Sequence, residues 1–193
     1  MKKLICVVAL LLPFLAYAQD ASDGKPQTKY EQIFSQTGRL IKFQDFKLAS
    51  VPVSMATLKA CVRVISLGEE KLYFLRLEKP ETSSSIERIA MIEYSDLVEV
   101  NKALVKISES VDDDLEAKPD YLENKFTTTD GFAVGYYISP SYATGQHSVN
   151  WYIKLERYSK STVFPKSQGD VLKVFSNAKA MIEKLQSQNA QRQ

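Results

Sequence analysis

A seven-residue pattern occurs twice in this chain, and the repetition limits what the chain can fold into. The first copy is Tyr73-Phe74-Leu75-Arg76-Leu77-Glu78-Lys79 and the second is Trp151-Tyr152-Ile153-Lys154-Leu155-Glu156-Arg157. Both read aromatic, aromatic, aliphatic, base, Leu, Glu, base. On a β-strand successive side chains point to opposite faces. Tyr73, Leu75 and Leu77 therefore share one face, as do Trp151, Ile153 and Leu155. The opposite faces carry Phe74, Arg76 and Glu78 in the first copy and Tyr152, Lys154 and Glu156 in the second.

The surroundings of the two copies run in parallel. Residues 40–48 and 58–67 are strand-like, with Val51-Pro52-Val53 ending the first run, and residues 86–93 make a further strand after the first copy. From Asp96 the period lengthens. Leu97, Val100, Leu104 and Ile107 form one stripe of a helix, and Asp96 with Glu99 has the form of a capping box. In the second half, residues 121–128 read as a strand, Asp130-Gly131 as a hairpin turn and residues 132–139 as the returning strand. A loop with Pro140, Gly145 and His147 precedes the second copy. Residues 162–165 give a short strand cut off by its proline, and Asp170 opens a helix with Val171, Val174, Phe175, Ala178, Met181, Ile182 and Leu185 on one face.

The copies are offset by 78 residues (151 − 73) and the helix starts by 74 (170 − 96), so changes in loop length reconcile them. The expected fold is α+β: two ββββα repeats whose antiparallel sheets are each packed by an amphipathic helix. The repeats span 38–110 and 120–187 of a single domain at 38–187. Between them, residues 108–119 with Asp112-Asp113-Asp114 read as a solvated connector, since neither a glycine nor alternating Asp spacing supports a calcium loop. Residues 186–193 read as a polar, fraying tail, of which 188–193 lie beyond the domain.

Residues 1–18 have the form of a signal peptide. Lys2 and Lys3 precede an apolar run at 4–15, and Ala16-Tyr17-Ala18 offers a small-x-small cleavage site. The run is too short to span a bilayer, so export to the periplasm or the extracellular space is expected, with no transmembrane segment after cleavage. The mature chain then begins at Gln19, and residues 19–37 read as a flexible lead-in. Removing the leader's two lysines from 25 Lys+Arg leaves 23 bases against 23 acids. That balance disfavours a nucleic-acid partner, which calls for a basic excess or stripe. Of two cysteines only Cys61 lies beyond the leader, so the mature domain rests on its core and not on a disulfide. Cys61 sits in an apolar strand pattern and reads as buried.

Chemistry-bearing motifs are scarce. There is one histidine, His147, and the sequence contains no Gly-x-Ser-x-Gly, His-Glu-x-x-His, phosphate-binding glycine loop or Cys/His zinc cluster. No catalytic residue, metal site or cofactor is assigned. What remains is the aromatic and basic face. Phe74 and Arg76 in the first copy, Tyr152 and Lys154 in the second, and Arg63 and Tyr137 on neighbouring strands are the candidate binding residues. Rings interleaved with bases on a sheet stack flat ligands and attract anions. The same pattern also arises where rings pack against long basic stems on a half-wet sheet.

The twice-repeated ββββα order resembles the whirly and PUR-repeat folds, and the resemblance implies single-stranded nucleic-acid binding on the sheets. The texture running from Phe126-Thr127-Thr128-Thr129-Asp130-Gly131-Phe132 through Gly135-Tyr136-Tyr137 to Trp151-Tyr152-Ile153-Lys154-Leu155-Glu156 resembles small exported bacterial proteins of uncharacterised function. The leader and the charge balance weigh toward an exported, non-enzymatic binding module with an envelope or extracellular partner, protein or glycan. An envelope-polymer hydrolase using paired carboxylates and a nucleic-acid binder are the alternatives.

Overall fold

The computed structural model describes residues 27–35, 38–54, 56–80, 87–157 and 161–191. The leader at 1–18, residues 19–26 and 36–37 of the lead-in, residue 86 of the strand read at 86–93 and the last two residues of the tail lie outside these. A short helix α1 (Lys29–Phe34) is followed by strands β1 (Ile41–Lys47), β2 (Val51–Val53), β3 (Ala56–Leu67), β4 (Glu70–Lys79) and β5 (Arg88–Glu93). Helices α2 (Tyr94–Glu109) and α3 (Val111–Glu116) come next, then β6 (Leu122–Thr127), β7 (Ala133–Pro140), β8 (His147–Lys154), β9 (Thr162–Val163) and the long α4 (Gln168–Ala190).

Two antiparallel sheets result. The first has the order β1-β3-β4-β5, and β2 pairs with β3 on the same side as β1. β3 is long enough to hold both: its second half pairs with β1 and its first half with β2. Leu48 N donates to Ala60 O at 3.0 Å in between, so β1 and β2 behave as one edge interrupted at residues 48–50. The second sheet is a meander, β6-β7-β8-β9. With the helices packed against these sheets, the fold is α+β, built of two ββββα-like units.

The alternation in the repeated pattern comes out as read. Tyr73, Leu75, Leu77, Trp151, Ile153 and Leu155 all belong to one buried cluster, which also takes in the apolar stripes of α2 and α4. The pairing of helix with sheet is crossed, however. α4 lies across β2, β3 and β4 of the first sheet and along α2, while α2 runs from β4 and β5 onto β6 and β7 of the second sheet. Asn189 of α4 donates to the Tyr73 hydroxyl at 2.7 Å, and Asn101 of α2 donates to the Phe175 carbonyl of α4 at 3.2 Å. A backbone seam joins the sheets. Ser54 N donates to Phe164 O at 2.9 Å and Lys166 N to Pro52 O at 3.1 Å, around a bridge between Val53 and Pro165.

Five local readings change. The acidic connector is not simply a loop, because Asp112, Asp113 and Asp114 form the first turn of α3, where carboxylates favour the free amides. Asp112 and Asp113 are exposed, but Asp114 accepts a hydrogen bond from the fully buried Tyr136 hydroxyl. α2 begins at Tyr94, two residues before Asp96, with Glu93 accepting from Ser95 N at 3.1 Å as its cap. Residues 186–190 of the tail remain helical, pinned where Asn189 meets both Tyr73 and, at 2.7 Å, Lys71 Nζ. His147 opens β8, and its Nε2 lies 3.0 Å from the Pro119 carbonyl. Within the lead-in, α1 forms because Thr28 and Glu31 make a complete capping box and Tyr30 packs on Phe34 one turn later.

Candidate functional site

The six candidate residues fall on the outer faces of two different sheets, and the two faces are in different states. On the first sheet Arg63 pairs bidentately with Asp45 of β1, at 2.7 Å from Nε to Oδ1 and 2.6 Å from Nη2 to Oδ2. The hydrogen bond from Arg63 holds the Asp45 carboxyl below its usual range, and the same bond raises the guanidinium further. Arg63 also lies 5.3 Å over the Phe43 ring. Arg76 binds Glu78, whose carboxyl is held low first by Lys59 at 2.8 Å and then by Arg76 itself. Each base therefore already has its acid.

Phe74 is only 1% exposed although it points away from the main core. The cover is α1: Tyr30 meets Phe74 edge-on at 5.8 Å, and Phe34 stacks on Phe43 at 5.7 Å. Lys29 fastens the helix, reaching Asp96 at 2.9 Å and Glu93 at 3.5 Å, and its backbone N–H reaches Asp130 at 3.0 Å. Phe74 is thus structural here, and the expectation of an open ring at this position is corrected. The reason lies in a segment whose polar composition hid two well-spaced aromatics.

On the second sheet the outer face is open and concave. A cavity of about 340 Å³ has Tyr137, Tyr152, Lys154, Lys125, Glu123 and Arg157 among its walls. The register explains the grouping, since Lys125 of β6, Gly135 of β7 and Tyr152 of β8 lie in one row, flanked by Glu123 with Tyr137 and by Ala133 with Lys154. From this row the Tyr152 hydroxyl spans β7 and donates to Glu123 Oε1 at 2.6 Å. The strand between them presents Gly135, where an added Cβ would lie 2.1 Å from the Asn124 carbonyl oxygen. Such a site cannot take a side chain without moving backbone.

Burial pushes the Tyr152 phenol well up, and its hydrogen bond to Glu123 adds to the effect. Burial alone would raise Glu123 too, but hydrogen bonds from Lys125, at 2.7 Å, and from Tyr152 outweigh it and keep the carboxylate ionised. Arg157 donates to the Thr129 carbonyl and packs on Gly131, where a Cβ would fall 2.4 Å from its own. Gly131 at φ +89° also makes the turn that brings β7 back, as the Asp130-Gly131 pair predicts. Lys154 is the remaining base. It lies near Glu123 electrostatically, yet among the described residues no carboxylate pairs with it.

Two rings that sequence alternation did not single out complete the face. Tyr121 stacks on Tyr137 at 6.3 Å and 22°, and Phe164 meets Tyr137 edge-on at 6.4 Å and 82°. The three rings form a ridge across the sheet. Beyond it lies a second hollow of about 430 Å³, with Asn150, Lys166, Ser167 and Gln168 among its walls. Glu123 and Lys125 were legible as outward residues of an alternating strand. Tyr121 and Phe164 fall within the runs read as strands at 121–128 and 162–165, but the structure ends β6 and β9 short of them, and their meeting with Tyr137 depends on which strands lie alongside, which alternation does not tell.

Among the described residues no group of three or more His, Cys, Asp or Glu side chains could hold a metal ion, and no helix is long and apolar enough to cross a membrane. Cys61 is buried, and its burial pushes the thiol up. Comparison of the chain with protein-family models, with curated proteins and with solved structures found no match.

Proposed function

We propose that this chain is an exported, non-enzymatic binding module whose docking surface is the outer face of the second sheet, with Tyr137 and Lys154 at its centre. The observation that carries the reading is the contrast between the two faces. Arg63 and Arg76 are matched by acids, and Phe74 lies under α1. Among the described residues Lys154 has no paired carboxylate, and it stands in a cavity bordered by exposed aromatic edges. A half-desolvated ammonium with nearby rings gains more from an incoming anion or flat apolar group than a base already in an ion pair. Export rests on the leader pattern at 1–18. Among the described residues that line the cavity the only carboxylate is Glu123, already held by Tyr152 and Lys125. Binding is therefore better supported than two-carboxylate hydrolysis, for which a facing pair is needed.

The test compares the full chain with Lys154→Ala, Tyr137→Ala and Arg63→Gln on an array of immobilised glycans and peptides. Unchanged circular dichroism for each variant serves as the folding control. Binding lost in the first two variants and kept in Arg63→Gln supports the reading. Loss in Arg63→Gln alone moves the site to the first sheet. Capture that survives all three substitutions, or no capture by the unmodified chain, removes it.

A further inference from the structure

We infer that β6 is a dimer edge: two copies of this chain join through it, antiparallel about a twofold axis at Asn124, into one continuous sheet. The inference goes beyond the docking face proposed above and does not depend on it.

The edge is open. β6 pairs with β7 alone, in a register that runs unbroken from Leu122 to Thr127 with neither a bulge nor a proline. Thr128 N donates to Phe132 O at 2.9 Å, so the even-numbered residues of the strand bond to β7. Glu123, Lys125 and Thr127 therefore turn their backbone groups outward. Among the described residues no backbone group meets them. An edge of this length is a template for pairing, and natural sheets blunt such edges. The other edges here are blunted. β9 is two residues long, the β1/β2 edge is interrupted at residues 48–50 and carries Pro52, and α1 is fastened beside β5 where Lys29 reaches Glu93.

The side chains of β6 name its occupant, because they are complementary to themselves. Centred on Asn124, the pairing sets Glu123 opposite Lys125 of the second copy and Lys125 opposite its Glu123. Each Lys125 ammonium, 2.7 Å from its own Glu123, then lies between two carboxylates. On the same outer row Tyr121, 63% exposed, meets Thr127 of the second copy. On the inner row Leu122 meets Phe126, each only half-buried in a single copy. Opposite charges and aromatic with β-branched side chains are favourable cross-strand pairs. The register is also unique. A slip of two residues sets Glu123 against Glu123 or Lys125 against Lys125, and like charges directly opposite are destabilising. A slip of one residue opposes an outward backbone group to an inward one. The formal net charge of +2 leaves little repulsion between whole copies. Because outer row meets outer row, both Tyr137 and Lys154 faces lie on the same side of the joined sheet.

Sedimentation equilibrium of the full chain over a range of concentrations tests this, with Lys125→Glu and Glu123→Lys taken singly and mixed in equal amounts. The expected result is a reversible monomer–dimer equilibrium in the unmodified chain. Each variant alone should associate about tenfold more weakly or worse, since symmetry counts every reversed pair twice. The mixture should regain the dimer, because every carboxylate of one variant again faces an ammonium of the other. Thr127→Pro removes an outward N–H and no charge, and should weaken association as well. Circular dichroism checks each fold; where a charge variant loses it, Thr127→Pro decides alone, and a dimer as tight as the unmodified chain's overturns the inference. A chain that stays monomeric up to about 1 mM overturns it outright. Dimers that ignore all three substitutions use another surface and overturn it too, and a mixture no tighter than its components overturns the pairing centred on Asn124.

Discussion

Asp130 occupies the turn between β6 and β7 and accepts the Lys29 backbone N–H at 3.0 Å, so one carboxyl serves both a hairpin and the anchoring of α1. Burial pushes that carboxyl above its ordinary value, and Asp96 and Glu31 add repulsion that the contacts with Lys29 only partly offset. An acid raised in the folded state supports folding only where it is protonated. Its contribution is complete below the unfolded value near about 3.9 and is lost as pH rises through the raised folded value. At pH 7 the charge therefore opposes folding relative to a neutral acceptor of the same shape. Asp130→Asn keeps an oxygen for Lys29 and retains a favourable hairpin dipeptide, Asn-Gly. It is expected to raise stability at pH 7 by no more than about 1 kcal/mol, since solvent screens the site. The gain should shrink as pH falls toward 4, and melting curves at the two pH values decide it. An Asn variant less stable at pH 7 would mean that the carboxylate's bond to Lys29 dominates. At this scale the sequence tells which way Lys154 and Tyr152 point, because alternation determines a face. It does not tell that Lys154 is unmatched and Arg76 matched, since that depends on which strands lie alongside.

α1 shows how an element can be written in a sequence and still be missed. Thr28-x-x-Glu31 and the Tyr30/Phe34 spacing are both present, yet six residues make too short a helix to stand alone in water. None of its residues is buried, so its order depends on the sheet beneath. The contact that matters most is Tyr30 on Phe74, where a helix ring meets the edge of a ring projecting from the first copy of the repeated pattern. Edge-to-face pairs contribute about 0.5–1.5 kcal/mol beyond burial. A double-mutant cycle of Tyr30→Ala with Phe74→Leu, followed by urea denaturation, should return a coupling energy in that range. Additive single losses would show that α1 rests on the sheet without depending on Phe74. The strands, turns and long helices were readable because each carries its own period over many residues. α3 was less so, since an acidic triplet looks alike in a loop and in the first turn of a helix until Tyr136 supplies a buried donor for Asp114.

The crossing of the helices ties the molecule together, and no local pattern announces it. Both helices carry the same kind of stripe and both sheets the same kind of inner face, so periodicity alone would let each helix cover its own sheet. In the structure α4 covers the first sheet, and Val171, Val174, Phe175 and Ile182 are each less than 5% exposed. Four such side chains, at about 1.5–3 kcal/mol apiece, amount to roughly 6–12 kcal/mol, which is of the order of a domain's entire stability of about 5–15 kcal/mol. The first 110 residues therefore cover only part of their own sheet, because α2 reaches β4 and β5 but leaves β2 and β3 to α4. A chain ending at residue 166, just before α4, is expected to lose its cooperative melting transition. Amide exchange should then lose protection in β3 and β4 of the first sheet, although the deletion lies in the other half of the sequence. Phe175→Ala offers a milder version, with a cost of about 3–5 kcal/mol and faster exchange at those same strands. If protection in β3 and β4 survives while β7 and β8 open, the halves are independent and the shared core is not what holds them.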